Sequence, residues 1–166
     1  LGAANIEISG ESVTRLSDAV QLDLGGIAKG YIGDQAAQVV RGYECRGILD
    51  LGGNIVAVGM KKKDTPWKVG IKDPVQVDRI VETVEVSDES VVTSGGYERY
   101  FEYEGQRYHH ILNPFTGYPA ESGLASVTVI SPDGALADAL STAIFVAGPE
   151  EGKRIADQFG VEVVLV

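Results

Sequence analysis

The sequence is almost free of cysteine, with Cys45 alone among 166 residues, so no internal disulfide bond can form. It has no CxxC pair either, which excludes the common cysteine-based zinc and redox motifs. A single cysteine beside Tyr43 and Arg46 is expected to be a small buried apolar residue. Cysteine usage therefore indicates nothing about the compartment.

Positive charge is scarce as well: 14 lysines and arginines stand against 24 aspartates and glutamates, for a formal net charge of −10. The longest basic run is Lys61-Lys62-Lys63. Such a surface repels phosphate backbones at long range, so we expect no general binding of nucleic acid. An anionic ligand would have to be held locally, by backbone N–H groups, a lysine or a metal ion.

Long apolar runs are missing, so no membrane-spanning segment is predicted. The opening residues LGAANIEISG lack the charged start and long apolar centre of a signal peptide. Because the chain begins with Leu1, we expect a fragment or a processed product. The ordinary apolar and charged fractions, 44% and 23%, predict one folded domain over residues 1–166.

Apolar periodicity predicts more strands than helices. The expected strands span residues 4–8, 12–16, 20–24, 48–51, 54–60, 67–72, 79–86, 90–93, 98–103, 107–112, 124–130 and 161–166. The expected helices span residues 27–40, 133–147 and 150–159. Since the strands cluster in hairpins, an α+β fold with a mainly antiparallel sheet is favoured over a doubly wound sheet.

The first candidate site is the stretch LDLGGIAKG at residues 22–30. Its first five residues, LDLGG, occur again at residues 49–53. Paired glycines carry no Cβ, so a ligand can approach the main chain. Lys29 lies at a predicted helix N-terminus, where unpaired N–H groups favour an anion such as phosphate. A plain strand-to-helix turn with a surface lysine explains the same residues, and two short matches are weak evidence for a structural repeat.

The second candidate site lies on the apolar helix predicted over 133–147. Asp138 and Thr142 are four residues apart and project from one face, with Ser141 beside them. A buried carboxylate is costly without a partner. That partner is either a hard cation such as Mg²⁺, or a lysine, an arginine or a ring of backbone amides.

The third candidate site is YHHILNPFTGYP at residues 108–119, which holds both histidines of the chain. Adjacent strand residues face opposite ways, so at most one of His109 and His110 faces a pocket, as a hydrogen-bonded structural residue or as a general base. Upstream, the strand through Thr93 ends in hydroxyls and glycines, and is either a turn into a hairpin or a hydroxyl-lined wall beside a ligand.

Taken together, these stretches resemble the ApbE-like flavin transferases, historically called thiamine biosynthesis lipoproteins. The matching sequence motifs lie within residues 20–148. They are DLGGIAKGYIGD, LDLGGNI, TSGGYERYF, YHHILNPFTGYP and ADALSTAIFVAG. The resemblance implies an α+β, T-fold-related architecture with a mainly antiparallel sheet and packed helices. It also implies that the chain is the C-terminal portion of such a protein, with no counterpart of the family's N-terminal half.

The resemblance implies an FAD:protein FMN transferase. Such an enzyme binds FAD with Mg²⁺, cleaves the diphosphate, joins the FMN phosphate to a Thr or Ser hydroxyl of an acceptor flavoprotein, and releases AMP. The alternatives are an FAD diphosphatase giving free FMN and AMP, or a non-catalytic flavin-binding fragment. The family also implies an extracytoplasmic location, in the periplasm or at the cell surface, with membrane anchoring through an N-terminal lipid signal.

The resemblance assigns roles to particular residues. The implied metal ligands are the Gly26 carbonyl, Asp138 and Thr142, with Ser141 as a further candidate. The implied nucleotide-binding residues are Asp23, Lys29, Thr93 and Leu112. His110 takes the catalytic role and His109 a structural one. Two positions depart from the family pattern: Asn113 stands where aspartate is common, and Gly96 where an acid or amide is frequent.

Overall fold

The computed structural model describes residues 3–76 and 78–166. A short 3-10 helix at Ala3–Asn5 precedes the first strand. The strands are β1 Ile6–Ser9, β2 Ser12–Arg15, β3 Gly47–Asp50, β4 Asn54–Val58, β5 Trp67–Lys72, β6 Ile80–Val86, β7 Ser90–Gly95, β8 Tyr100–Tyr103, β9 Gln106–His109, β10 Ser126–Ser131 and β11 Glu162–Leu165. The helices are α1 Ala28–Gly42, α2 Gly134–Ala147 and α3 Pro149–Phe159.

The central sheet has five strands in the order β11-β10-β7-β4-β3, and every pairing in it is antiparallel. Three two-stranded hairpins accompany it: β1-β2, β5-β6 and β8-β9. The predicted α+β fold with a mainly antiparallel sheet is thereby confirmed.

Both faces of the central sheet are covered, and β10 is buried along its whole length. On one face, Val92, Val127 and Val129 pack with α2 and α3 around Ile144 and Phe145. On the other face, residues such as Val91 and Ile130 pack with the β5-β6 hairpin. Neighbouring residues thus serve opposite layers, as the two-residue period of a strand requires.

Helix α1 packs on β4 and crosses α2 very closely, because glycines lie at the crossing. A Cβ atom on Gly30 would overlap the Gly134 carbonyl and lie 2.8 Å from the Asp138 Cβ. A Cβ atom on Gly134 would lie 2.6 Å from Asp34 Oδ1. This close approach places the N-terminal turn of α1 against the first half of α2.

Two local predictions are wrong. Residues 20–24 form no strand; Leu22 and Leu24 are exposed, and the segment ends instead in a side-chain turn at Asp23. Cys45 is exposed rather than buried, because it lies in the connection from α1 to β3, where its thiol contacts the Tyr43 carbonyl at 3.4 Å.

Strand β5 has the predicted bounds, and the remaining predicted elements exist with shifted ends. The predicted strand over 107–112 stops at His109, where the main chain turns to bond Arg99. Helix α2 begins one residue later than predicted, because Asp133 is its N-cap and accepts a hydrogen bond from the Leu136 N–H. Among the helices of residues 3–76 and 78–166, none combines the length and apolar character needed to cross a membrane.

Candidate functional site

A cavity of about 810 Å³ opens where α1, α2, the end of β7 and the strand β5 converge. Its size falls within the range of small-molecule sites. All eight residues assigned by resemblance line it: Asp23, Gly26, Lys29, Thr93, His110, Leu112, Asp138 and Thr142. Motifs separated by more than a hundred residues therefore meet in one place, while the role of each residue stays a prediction.

Asp138 lies in the interface of the two crossing helices, and its side chain is almost fully buried, with the residue 4% exposed. Its Oδ2 accepts a hydrogen bond from the Gly30 N–H at 2.9 Å, in the first turn of α1. In the reverse direction, Asp34 of α1 accepts from the N–H groups of Gly134 and Ala135 at 3.0 Å each. Each helix thus supplies a carboxylate that satisfies free N–H groups at the start of the other.

The contacts of Asp138 show which groups compensate its buried charge. Within the described ranges, no lysine or arginine lies at ion-pair distance from its carboxylate. One backbone amide and the N-terminus of α1 compensate Oδ2, and no hydrogen bond from a described residue reaches Oδ1. A ring of amides is therefore not formed, and Asp138 reaches the cavity with acceptor capacity to spare.

Three hydroxyls join Asp138 to Thr142, and we call Ser141, Ser94 and Thr142 the hydroxyl chain. The Ser141 hydroxyl donates to the Asp138 carbonyl at 3.0 Å. Ser94 Oγ lies 2.8 Å from Ser141 Oγ and 3.1 Å from Thr142 Oγ1. Ser141 itself is fully buried and does not line the cavity, so the structure does not bring it to the site as a further ligand.

The main chain of Gly26 lies beside this hydroxyl chain. A Cβ atom placed on Gly26 would be 3.7 Å from Thr142 Oγ1, so the bare glycine backbone adjoins the threonine hydroxyl. In the part of the chain that the structure describes, no three His, Cys, Asp or Glu residues form a metal-binding group. A cation here would depend on one carboxylate together with hydroxyl and carbonyl oxygens, a donor set that suits Mg²⁺ when phosphate and water complete its shell.

Both LDLGG copies line the cavity. In each copy the chain turns through a hydrogen bond from a glycine N–H to the aspartate side chain. Asp23 Oδ1 accepts from the Gly25 N–H at 2.6 Å, and Asp50 Oδ1 accepts from the Gly52 N–H at 2.9 Å. Their backbones differ, since Gly52 and Gly53 have positive φ angles of 73° and 97° and the first pair does not. The two copies thus share the hydrogen bond from a glycine N–H to the aspartate, but their backbone conformations differ. The first copy also follows no strand.

The two histidines have different surroundings, although β9 ends at His109 and His110 lies just after it. His109 places Nε2 3.2 Å from the Ala120 carbonyl and packs edge-on against Phe145, with ring centroids 5.6 Å apart. His110 is exposed and lines the cavity. Its Nδ1 lies 3.1 Å from the Arg99 carbonyl, which can only accept, so Nδ1 carries the proton and Nε2 of the neutral ring has a free lone pair.

The loop after His110 keeps its shape despite the asparagine. Asn113 Oδ1 accepts from the Phe115 N–H at 2.9 Å, a bond that an aspartate would also make. The Asn113 carbonyl accepts from Gly117 at 2.9 Å and closes the turn. Gly96 is the other position that departs from the family pattern. A Cβ atom there would lie 2.9 Å from His109 Cδ2, so glycine leaves room for the histidine ring.

Several lining residues escape the sequence analysis. Tyr97 is one: burial, with a smaller contribution from Glu98, raises the pKa of its hydroxyl, so it stays a neutral donor. The other lining residues with polar side chains that received no role are Asp50, Lys72, Ser94, Glu98 and Arg99. Gly30, Asp34 and Gly134 were also missed, and they lie at the crossing of α1 and α2 instead of in the cavity wall. A shared Gly-x-x-x-Asp spacing, Gly30 to Asp34 and Gly134 to Asp138, is the signal that could have found the helix crossing.

The fold and the cavity define an α+β protein with a pocket lined by carboxylate, hydroxyl and glycine main-chain groups. The chain belongs to the ApbE family, whose profile matches residues 1–165. It is 41% identical over 175 residues to an FAD:protein FMN transferase of Treponema pallidum, covering 98% of this chain and 48% of that protein.

Solved structures agree with this assignment. A crystal structure of an ApbE protein from Thermotoga maritima superposes with a TM-score of 0.90 at 40% identity, over 99% of this chain and 55% of that one. The apo flavinyl transferase ApbE of Pseudomonas stutzeri superposes with a TM-score of 0.81 at 36% identity, over 99% and 51%. The chain thus spans about half the length of these relatives.

Proposed function

We propose that the chain carries the cation and phosphate site of an FAD:protein FMN transferase. The observation that supports this most directly is the meeting of Asp138, Thr142 and the Gly26 main chain in the cavity that His110 also lines. The FAD:protein FMN transferase of Treponema pallidum and the flavinyl transferase of Pseudomonas stutzeri, both described above, support the choice of reaction. Their greater length makes the complete activity a proposal for this chain.

In this proposal, Asp138, the Thr142 hydroxyl and the Gly26 carbonyl hold a Mg²⁺ ion. The ion would offset charge on the diphosphate of FAD and on the departing AMP. Lys29, at the second position of α1, faces the same cavity and would bind a phosphate oxygen together with the N-terminus of that helix. Asp23, Thr93 and Leu112 also line the cavity and would contact the nucleotide.

His110 would act as the general base. The Arg99 carbonyl orients the ring through both the main-chain N–H and Nδ1 of His110, at 3.1 Å each. Nε2 then accepts the proton of the incoming Thr or Ser hydroxyl while its oxygen bonds to the FMN phosphorus. The phosphorus–oxygen bond to AMP breaks, and AMP leaves with that oxygen.

A second function, hydrolysis of FAD to FMN and AMP, is favoured by one observation. His110 is exposed, so a water molecule can occupy the position of the acceptor hydroxyl. The same base and the same leaving group serve both reactions, and only the attacking oxygen differs. A third outcome, flavin binding without turnover, fits a chain that spans half of its relatives.

Incubation of the protein with FAD and Mg²⁺, with and without a peptide carrying a reactive threonine, separates these three. A transferase leaves fluorescent FMN covalently on the peptide and releases one AMP per FMN. A diphosphatase releases free FMN without peptide, and a binding fragment forms no FMN although FAD binds. Absence of both turnover and FAD binding would overturn the proposal.

Anchoring and an extracytoplasmic location of the whole protein are proposed from the family resemblance. Export of an acceptor to the same compartment would place enzyme and substrate together. Fractionation of cells that produce the complete protein, with and without detergent, tests this. Recovery in the soluble cytoplasmic fraction would contradict it.

A further inference from the structure

The hydroxyl chain has one consistent direction of hydrogen bonding. A hydroxyl has a single proton to donate. The Ser141 proton goes to the Asp138 carbonyl at 3.0 Å, because a carbonyl oxygen can only accept. The 2.8 Å contact with Ser94 must therefore use the Ser94 proton, and the 3.1 Å contact between Ser94 and Thr142 must use the Thr142 proton.

This direction determines what Thr142 presents to the cavity. With its proton pointing to Ser94, Thr142 Oγ1 has only lone pairs left, and described residues supply no other hydrogen bond to it. An oxygen that offers only lone pairs attracts a cation and repels the oxygens of a free phosphate. Without this orientation, the proton of Thr142 would be free to turn into the cavity and compete with a cation.

We infer that Ser94 is a positioning residue that orients the Thr142 hydroxyl as an acceptor for a divalent cation, and that Ser141 sets the direction in which Ser94 bonds. The inference rests on the cation site of the proposed function and adds two residues to it. Ser94 is half-buried at the end of β7, whereas Ser141 is fully buried on α2. Neither residue needs to touch the cation.

The direction of the chain makes two substitutions act differently. Ser94→Ala leaves the Thr142 proton without its acceptor. Ser141→Ala leaves the Ser94 proton without its acceptor, so Ser94 can donate to Thr142, occupy one lone pair and turn the Thr142 proton towards the cavity. The two changes thus free the Thr142 proton to turn towards the cavity by different routes, and both should weaken cation binding.

Titration of Mn²⁺ alone, followed by the relaxation rate of water protons, measures the effect without any turnover. We expect Ser94→Ala and Ser141→Ala to raise the Kd for Mn²⁺ by about 10- to 100-fold, as loss of an orienting partner does at other metal sites. Ser94→Thr retains the hydroxyl and should keep an affinity close to that of the wild type. Circular dichroism and urea unfolding identify any variant that has lost its fold.

Ser126→Ala is the matched control. Ser126 lies on the neighbouring strand β10 and is fully buried, and among the described residues its hydroxyl has no hydrogen-bond partner. Its removal should leave the Mn²⁺ affinity unchanged. Equal affinity in the wild type and in the folded Ser94 and Ser141 variants would overturn the inference while leaving the cation site intact.

Other outcomes separate the inference from the proposed function. If the wild type binds no Mn²⁺, both the inference and the proposed cation site are overturned. If the affinities follow the expected order but no FMN is transferred or released, the positioning role of Ser94 is supported and the proposed turnover is not.

Discussion

Asp138 Oδ2 accepts the N–H of Gly30 at 2.9 Å, a bond that joins positions 108 residues apart and ties the second long helix to the first turn of the first. The bond requires the two helices to approach so closely that neither Gly30 nor Gly134 has room for a Cβ atom. The carboxylate proposed to hold a cation is thus oriented by the same contact that sets the helix crossing. Packing and chemistry at this site share one geometry.

Replacement of Gly30 by alanine should therefore disturb both the helix packing and the orientation of the Asp138 carboxylate. The new methyl group would overlap the Gly134 carbonyl and push α1 from α2. We expect the free energy of unfolding to fall by about 3 kcal/mol or more, since overpacking a rigid backbone contact cannot be relieved by side-chain rotation. Urea unfolding followed by circular dichroism measures the change.

Gly42→Ala is the control for this substitution, because Gly42 ends the same helix with nothing within 4 Å of a Cβ atom. Alanine there should leave stability unchanged or raise it by up to about 1 kcal/mol. Equal stability of the two variants would show that the close crossing of α1 and α2 is wrong.

Asp138→Asn should separate the charge of this residue from its structural bond. The amide oxygen of asparagine can still accept from Gly30, so the fold should remain, but the charge offered to a cation is lost. We expect metal-dependent turnover of FAD to fall by about 100-fold or more. Asp133→Asn removes a charge from the start of the same helix while keeping a good N-cap, and should retain the wild-type rate. A normal rate in Asp138→Asn would remove Asp138 from the cation site.

The sequence predicts the elements of this fold better than their connections. Alternation and helical spacing locate α1, α2, α3 and most strands, because buried faces impose those periods on the residues themselves. The strand expected at residues 20–24 shows the limit. Its apolar leucines fit a strand, but none of the strands in residues 3–76 and 78–166 pairs with it, and pairing is a property of the whole fold.

The sequence likewise predicts some residues of the candidate site and not others. Asp138 and Thr142 stand out because a carboxylate is unusual on an apolar helix. Strand alternation leaves the choice between His109 and His110 open, and only the family resemblance points to His110. Ser94 could not be found, since its importance depends on two hydroxyls from a helix about fifty residues further along the chain. Asp34 was missed although the spacing from Gly30 repeats that from Gly134 to Asp138.

Asp88 gives a prediction on acid stability. The Gly59 N–H makes the largest contribution and lowers the pKa of its carboxyl. Burial opposes this decrease, and the hydrogen bond and the charge of Arg41 each lower the pKa further by smaller amounts. A carboxyl whose pKa is lower in the folded state stabilises the fold above its unfolded pKa, and this contribution is lost as pH falls through the folded value.

Asp88→Asn should therefore be less stable than the wild type at pH 7, by no more than about 1 kcal/mol because the pair is half exposed. The difference should vanish as the pH falls well below about 4. Urea unfolding at both pH values measures it, and high salt should shrink it at pH 7. A difference that persists in acid would assign the effect to packing instead of charge.

His110→Ala tests the general base. The change removes Nε2 but leaves the residues of the proposed cation site, so the rate of FMN formation should fall by about 100-fold or more while FAD affinity changes little. Stopped assays of FMN release or transfer give the rate, and equilibrium dialysis with FAD gives the affinity. If FAD affinity falls as steeply as the rate, His110 serves binding instead of proton transfer.

Added imidazole provides the matched control for His110→Ala. The vacated position opens on solvent, since His110 is exposed, so free imidazole can enter and accept the proton of the attacking hydroxyl. Partial recovery of the rate, increasing with imidazole concentration, is expected in this variant and not in Asp138→Asn. Recovery in neither variant, together with an unchanged rate in His110→Ala, would place the proton acceptor elsewhere in the cavity.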